Sequence, residues 1–240
     1  MKSIKNTKLP LLLLLVLVAI SCKNNTSKKI IFEEITTKDY ILNKPTKAIK
    51  SVLVLFGGYP EKPEDVKREF PILKYAKKNS IAVLYMNYNQ KLWMEQEERE
   101  ALAKQLEQIF TAHKLPSTNI YIGGFSSGGN VSLLLSNYIA EHQLEITPKG
   151  VFIVDSPIDL AALYTSSEKN ILHNFSAVSI QESTWLLKNL ETKFGNPHQN
   201  ISPYETAAVF TSKTANTNNL KSLKTAKIRL YTEPDTLWWK

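Results

Sequence analysis

Ser51 to Phe56 (SVLVLF) and Ile81 to Met86 (IAVLYM) read as apolar runs of strand length, broken by no charge. A half-exposed strand alternates apolar and polar residues, so runs like these predict strands covered on both faces. Stretches of helical length lie between and after them. Pro63 to Asn79 opens with proline and the acids Glu64 and Asp65, as a helix start should. Glu95 to His113 spaces Leu102, Leu106, Ile109 and Phe110 three to four apart, and Ser127 to Glu141 is a third helix. Shorter strands are predicted at Ile30 to Ile35, Tyr40 to Leu42, Asn119 to Ile122, Val151 to Val154 and Lys227 to Tyr231. Strand and helix in alternation predict an α/β fold, a mostly parallel central sheet with helices on both faces. With 240 residues, 43% of them apolar and 22% charged, the chain has the make-up of one globular domain.

The stretch from Pro157 to Tyr204 departs from this alternation. It shows helical patches around Leu160 to Tyr164 and Thr184 to Leu190, then Ser202 and Pro203 as the start of a helix over Tyr204 to Phe210. A loop rich in Thr, Asn and Lys (211 to 221) leads to the last strand.

The N-terminus reads as an address. Lys2, Lys5 and Lys8 precede the apolar run Leu11 to Ile20, which is short for a membrane span but fits the core of a signal peptide. Ala19-Ile20-Ser21-Cys22 follows and resembles a bacterial lipoprotein signal, which implies cleavage before Cys22 and acylation of that residue. Residues 1–22 are then the signal, 23–29 a tether, and 30–240 the folded domain, held by lipid at the bacterial cell envelope. An ordinary cleaved signal with an incidental cysteine is the alternative. Without the three signal lysines the net charge falls from +8 to +5, with the lysines scattered, so no nucleic-acid partner is expected. A single cysteine excludes a disulfide framework and paired-cysteine zinc sites. No metal-ligand or nucleotide motif appears, and no cofactor is called for.

Six of the eight glycines sit at two strand ends, Gly57-Gly58 and Gly123-Gly124 with Gly128-Gly129. The second cluster holds Gly124-Phe125-Ser126-Ser127-Gly128, a G-x-S-x-G pattern between a predicted strand and a predicted helix. A serine on so sharp a turn has strained backbone angles, and bulk two residues away on either side would collide. The turn lifts the Ser126 hydroxyl clear of the sheet and aims the Ser127 N–H and the helix N-terminus at one point, where an oxyanion would form. The plainer alternative is a glycine-rich turn with an idle serine.

From about Ile30 onward the chain resembles the α/β-hydrolase superfamily. Gly57-Gly58-Tyr59-Pro60 after a strand looks like that family's oxyanion loop, with Gly57 where the family commonly has histidine. The resemblance implies Tyr59 N–H as the second oxyanion donor beside that of Ser127. It also implies a helical cap or lid inserted between the sixth and seventh strands, here 157–200. The residues Leu160, Leu163, Tyr164, Phe175, Trp185, Leu186 and Leu187 would line an acyl or aromatic pocket or simply pack on the body.

A serine nucleophile needs a base, and the base an orienting carboxylate, in the family order Ser, acid, His. Thr232-Glu233-Pro234-Asp235 after the last strand makes Asp235 the candidate acid, with Asp155 after the sixth strand as alternative. Neither is followed by a histidine in the family's place: the four are His113, His142, His173 and His198. His113 and His142 fall at helix ends, where the dipole favours an imidazolium; His173 and His198 fall in the cap. The resemblance implies a further strand, a loop with the histidine and a final helix, expected beyond Lys240.

The expectation is a lipid-anchored serine hydrolase, monomeric, cutting an ester or similar acyl bond in a small molecule. A peptidase on the same scaffold keeps every role. The competing expectation is a catalytically inactive hydrolase fold kept as an envelope binding protein.

Overall fold

The computed structural model describes residues 31–88, 92–174 and 176–233. The signal, the tether, Cys22, Phe175 and Asp235 lie outside the described residues. Seven strands form one sheet in the order β1-β2-β4-β3-β5-β6-β7. They are β1 (Phe32–Thr36), β2 (Tyr40–Pro45), β3 (Ser51–Phe56), β4 (Ile81–Met86), β5 (Ile120–Phe125), β6 (Pro148–Val154) and β7 (Lys227–Tyr231). β1 and β2 run antiparallel to their neighbours; β4, β3, β5, β6 and β7 are mutually parallel.

The helices are α1 (Pro63–Glu69), α2 (Leu73–Asn79), α3 (Gln96–Ala112), α4 (Ser127–Glu141), α5 (Leu160–His173), α6 (Ala177–Phe194) and α7 (Ser202–Ala207). The period of two along the strands sorts the core into two faces. Val52, Val54, Phe56, Ala82, Leu84 and Met86 meet α3 and α4 on one face. Leu55, Val83 and Tyr85 meet Val66 of α1 and Ala76 of α2 on the other. β3 and β4 are therefore apolar along their length because helices cover both of their faces.

The segment 63–79, expected as one helix, is two. Pro71 supplies no N–H and pushes Phe70 out of the helical region, to φ −111° and ψ 85°. The expected helix Tyr204 to Phe210 is shorter, ending at Ala207, and starts at Ser202. The two cap patches are the visible parts of α5 and α6. Asp159 caps α5 by accepting from the Ala161 and Ala162 N–H groups, and Ser176 caps α6 by accepting from that of Ser179. Leu160, Tyr164, Leu190 and Tyr204 form a small core of the cap's own, with Leu163 and Leu187 packed against it. Among the described residues no helix is long and apolar enough to cross a membrane.

Candidate active site

β5 ends in Gly123-Gly124-Phe125, and α4 begins at Ser127, so Ser126 has to turn the chain from strand to helix. Its backbone sits at φ 48° and ψ −127°, a region L-residues rarely occupy. Its neighbours hold it there. The Ser126 N–H donates to Val154 O at 2.8 Å, and its carbonyl accepts from Gly129 N–H at 3.0 Å. A Cβ on Gly124 would lie 2.0 Å from Gly128 O, and one on Gly128 would lie 2.4 Å from Gly57 O. Only hydrogen fits at either position. The Ser126 side chain is exposed, and its hydroxyl has no hydrogen-bond partner among the described residues.

The loop after β3 comes against this turn. Gly58 faces the serine itself, where a Cβ would lie 3.0 Å from Ser126 Cβ. Glu61 holds the loop in shape: its carboxylate accepts the Gly58 N–H at 2.7 Å, and its own N–H donates to Gly58 O at 2.7 Å. The loop is thus braced within itself, from Glu61 back to Gly58. Sequence reasoning missed Glu61, since a carboxylate three residues along a loop has no pattern of its own. The Tyr59–Pro60 peptide is cis. Tyr59 N–H points at the turn, where it donates to Oγ of Ser127 at 2.9 Å. Ser127 itself is 1% exposed, while Ser126 beside it is open.

Over Ser126 lies a cleft of about 570 Å³. Tyr59, Leu92 and Ser126 border it from the body; Val178, Gln181, Glu182, Trp185 and Leu186 border it from α6. Those five recur at i, i+3, i+4, i+7 and i+8, one face of a helix. Of the apolar cap residues expected to line a pocket, Trp185 and Leu186 do so, and Leu160, Leu163, Tyr164 and Leu187 pack in the cap instead. Tyr59 and Trp185 stack across the cleft, ring centroids 5.2 Å apart at 23°. Asn130, one turn along α4, donates from Nδ2 to Leu92 O at 3.1 Å and to Pro157 O at 2.9 Å, fixing the cleft wall and the start of the cap.

Asp155 does not border this cleft. It follows β6 at φ 45°, its N–H bonded to Tyr231 O at 2.9 Å and its carboxylate accepting Glu233 N–H at 3.1 Å. It braces the end of β7 from which the chain runs on to Asp235. None of the four histidines borders the cleft either. His198 pairs with Glu168 at 2.7 Å on the outside of the cap. His173 closes the last turn of α5, and His142, at the end of α4, stacks on Tyr138. His113 ends α3 but does not serve as its cation. Burial first, and then the Lys44 charge, hold its imidazole below the ordinary range, while Lys44 Nζ donates to His113 O at 3.2 Å. The ammonium takes the dipole-facing position that the sequence assigned to the ring. Among the described residues no group of His, Cys, Asp and Glu is placed to hold a metal.

The fold as a whole has counterparts among solved structures. A hormone-sensitive lipase from a metagenome library superposes with a TM-score of 0.52 at 16% identity, covering 98% of this chain and 84% of its own. An esterase of Pyrobaculum calidifontis gives 0.53 at 14% identity, over 84% and 76%. The Francisella virulence factor BioJ gives 0.52 at 17%, over 86% and 75%. The chain has the α/β-hydrolase fold. No protein-family model matches the sequence, and no curated protein matches it. At these identities the likeness reaches the fold and stops there.

Proposed function

We propose that this α/β-hydrolase-fold protein cleaves a carboxylic ester or similar acyl bond in a small molecule, with Ser126 as nucleophile. The single observation that carries the reading is the backbone of Ser126 at φ 48° and ψ −127°, with its hydroxyl open to the cleft. Such strain persists only where the surrounding structure enforces it, and here two glycines and the end of β3 do so. Ser126 Oγ attacks the carbonyl carbon, and the negative charge that develops on the carbonyl oxygen falls between the N–H groups of Ser127 and Tyr59. Tyr59 N–H donates to a neutral hydroxyl in the free protein. An oxyanion is the stronger acceptor and draws that bond to itself.

Asp235 takes the orienting acid's part, and Asp155 acts by bracing the loop that leads to it. The proton of Ser126 is the one role that no histidine bordering the cleft fills. With no histidine at the cleft, the described residues support only the residual rate of an oxyanion hole, on the order of 10³-fold over water. Attachment to the cell envelope through acylated Cys22, with 23–29 as tether, belongs to the same reading.

The test is covalent labelling of the whole gene product by a fluorophosphonate. Label is expected on Ser126, lost in Ser126→Ala and kept within about threefold in Ser127→Ala, whose backbone donor survives. A whole gene product that takes no label at Ser126 overturns the proposal and leaves an inactive hydrolase fold that binds.

A further inference from the structure

We infer that the cleft over Ser126 is built to seat a cation, so that its substrates are esters of amino or quaternary ammonium alcohols, or acyl groups bearing such a charge. The reaction in that statement rests on the ester-hydrolase reading; the seat does not. Glu182 is the one charged side chain among the described residues that border the cleft. No hydrogen bond or ion pair from another described residue engages its carboxylate. A lone negative charge in a concavity draws in cations and turns away carboxylates and phosphates.

Beside it, one turn along the same face of α6, is Trp185, stacked with Tyr59 at 5.2 Å. The two rings border the cleft and remain 38% and 45% exposed, so stacking on each other does not bury them. The negative face of an aromatic ring attracts a cation, most of all one too large and weakly hydrated to insist on water. Carboxylate and aromatic pair come from the cap and the oxyanion loop, on two sides of the serine. A charge held between them leaves an attached acyl bond within the same cleft. A neutral apolar group would find only half of this site useful, because Glu182 and Gln181 offer it nothing.

The experiment uses two probes of one shape, choline and 3,3-dimethylbutan-1-ol, in which carbon replaces the charged nitrogen. Each is titrated into the protein by calorimetry at low salt, with Glu182→Gln alongside. Choline is expected to bind about fivefold or more tighter than the alcohol, with the preference shrinking as salt rises. Glu182→Gln should bring the two within about twofold of each other with the thermal midpoint unchanged. Equal binding of the two probes, no binding of choline, or a preference untouched by Glu182→Gln overturns the cation seat. None of these outcomes depends on a reactive Ser126, so failure of the labelling experiment and failure of this one are separate results.

Discussion

At Gly128 an added methyl carbon would lie 2.4 Å from Gly57 O and 2.5 Å from Phe56 O. Both are backbone atoms at the end of a central strand and cannot swing aside. Gly128→Ala is therefore expected to lose about 2 kcal/mol or more, read as a fall in the urea midpoint, along with any Ser126 labelling. Gly195→Ala is the control. Gly195 sits at φ 75° and ψ −166° with nothing within 4 Å, so Gly195→Ala costs backbone strain alone, about 1–3 kcal/mol, and leaves Ser126 labelling intact. Ser126 labelling kept in Gly128→Ala, or a urea midpoint no lower than that of the unsubstituted protein, would contradict the packing account. The G-x-S-x-G spacing was legible because sterics demand it of any sequence. Glu61 and Glu182 were not, since each is an ordinary acidic residue until a loop closes on one and a cleft on the other.

Among the elements, β3, β4, β7 and α4 have the bounds expected of them; apolar runs mark β3 and β4, and the glycine turn marks the start of α4. The single helix expected over 63–79 shows how this fails. Apolar spacing ran straight through Phe70 and Ile72, and the break at Pro71 had to outrank it. The cap helices showed only in patches because α6 buries little more than Ser183, Leu186 and Leu190. The end of α3 carries a pH prediction. The folded state depresses the His113 pKa, through burial and then Lys44, so protons bind the unfolded chain more readily than the native one. Its neutral ring, bonded to Tyr40 OH at 2.8 Å, thus adds stability that is whole above the unfolded value of about 6.5 and lost as pH falls through the depressed folded one. His113→Asn should flatten the dependence of the urea midpoint between about pH 7 and 5. An unchanged slope would mean that His113 titrates alike in both states.

At the scale of the whole molecule, the sheet leaves one face of β5–β7 without a helix among the described residues. There an apolar hollow of about 680 Å³ lies between Phe70, Tyr121, Phe125, Phe152 and Tyr231. It is larger than the cleft over Ser126 but borders no residue of the proposed chemistry. How the molecule is held is a separate matter, since the tether and Cys22 would set the body only a short chain's reach from the bilayer. Cys22→Ser should abolish incorporation of labelled palmitate and move the protein from the membrane to the soluble fraction; palmitate retained in that variant would sink the anchor. The two bonds from Asn130 bear on how a substrate gets in. One carboxamide, rooted in the most deeply buried helix, grips both the strap carrying Leu92 and the first residue of the hood. The hood cannot swing about Pro157 without dragging the opposite wall along, so the opening stays nearly constant in width. A guest then passes the stacked Tyr59–Trp185 pair, two rings that flank the mouth from the loop and from the hood.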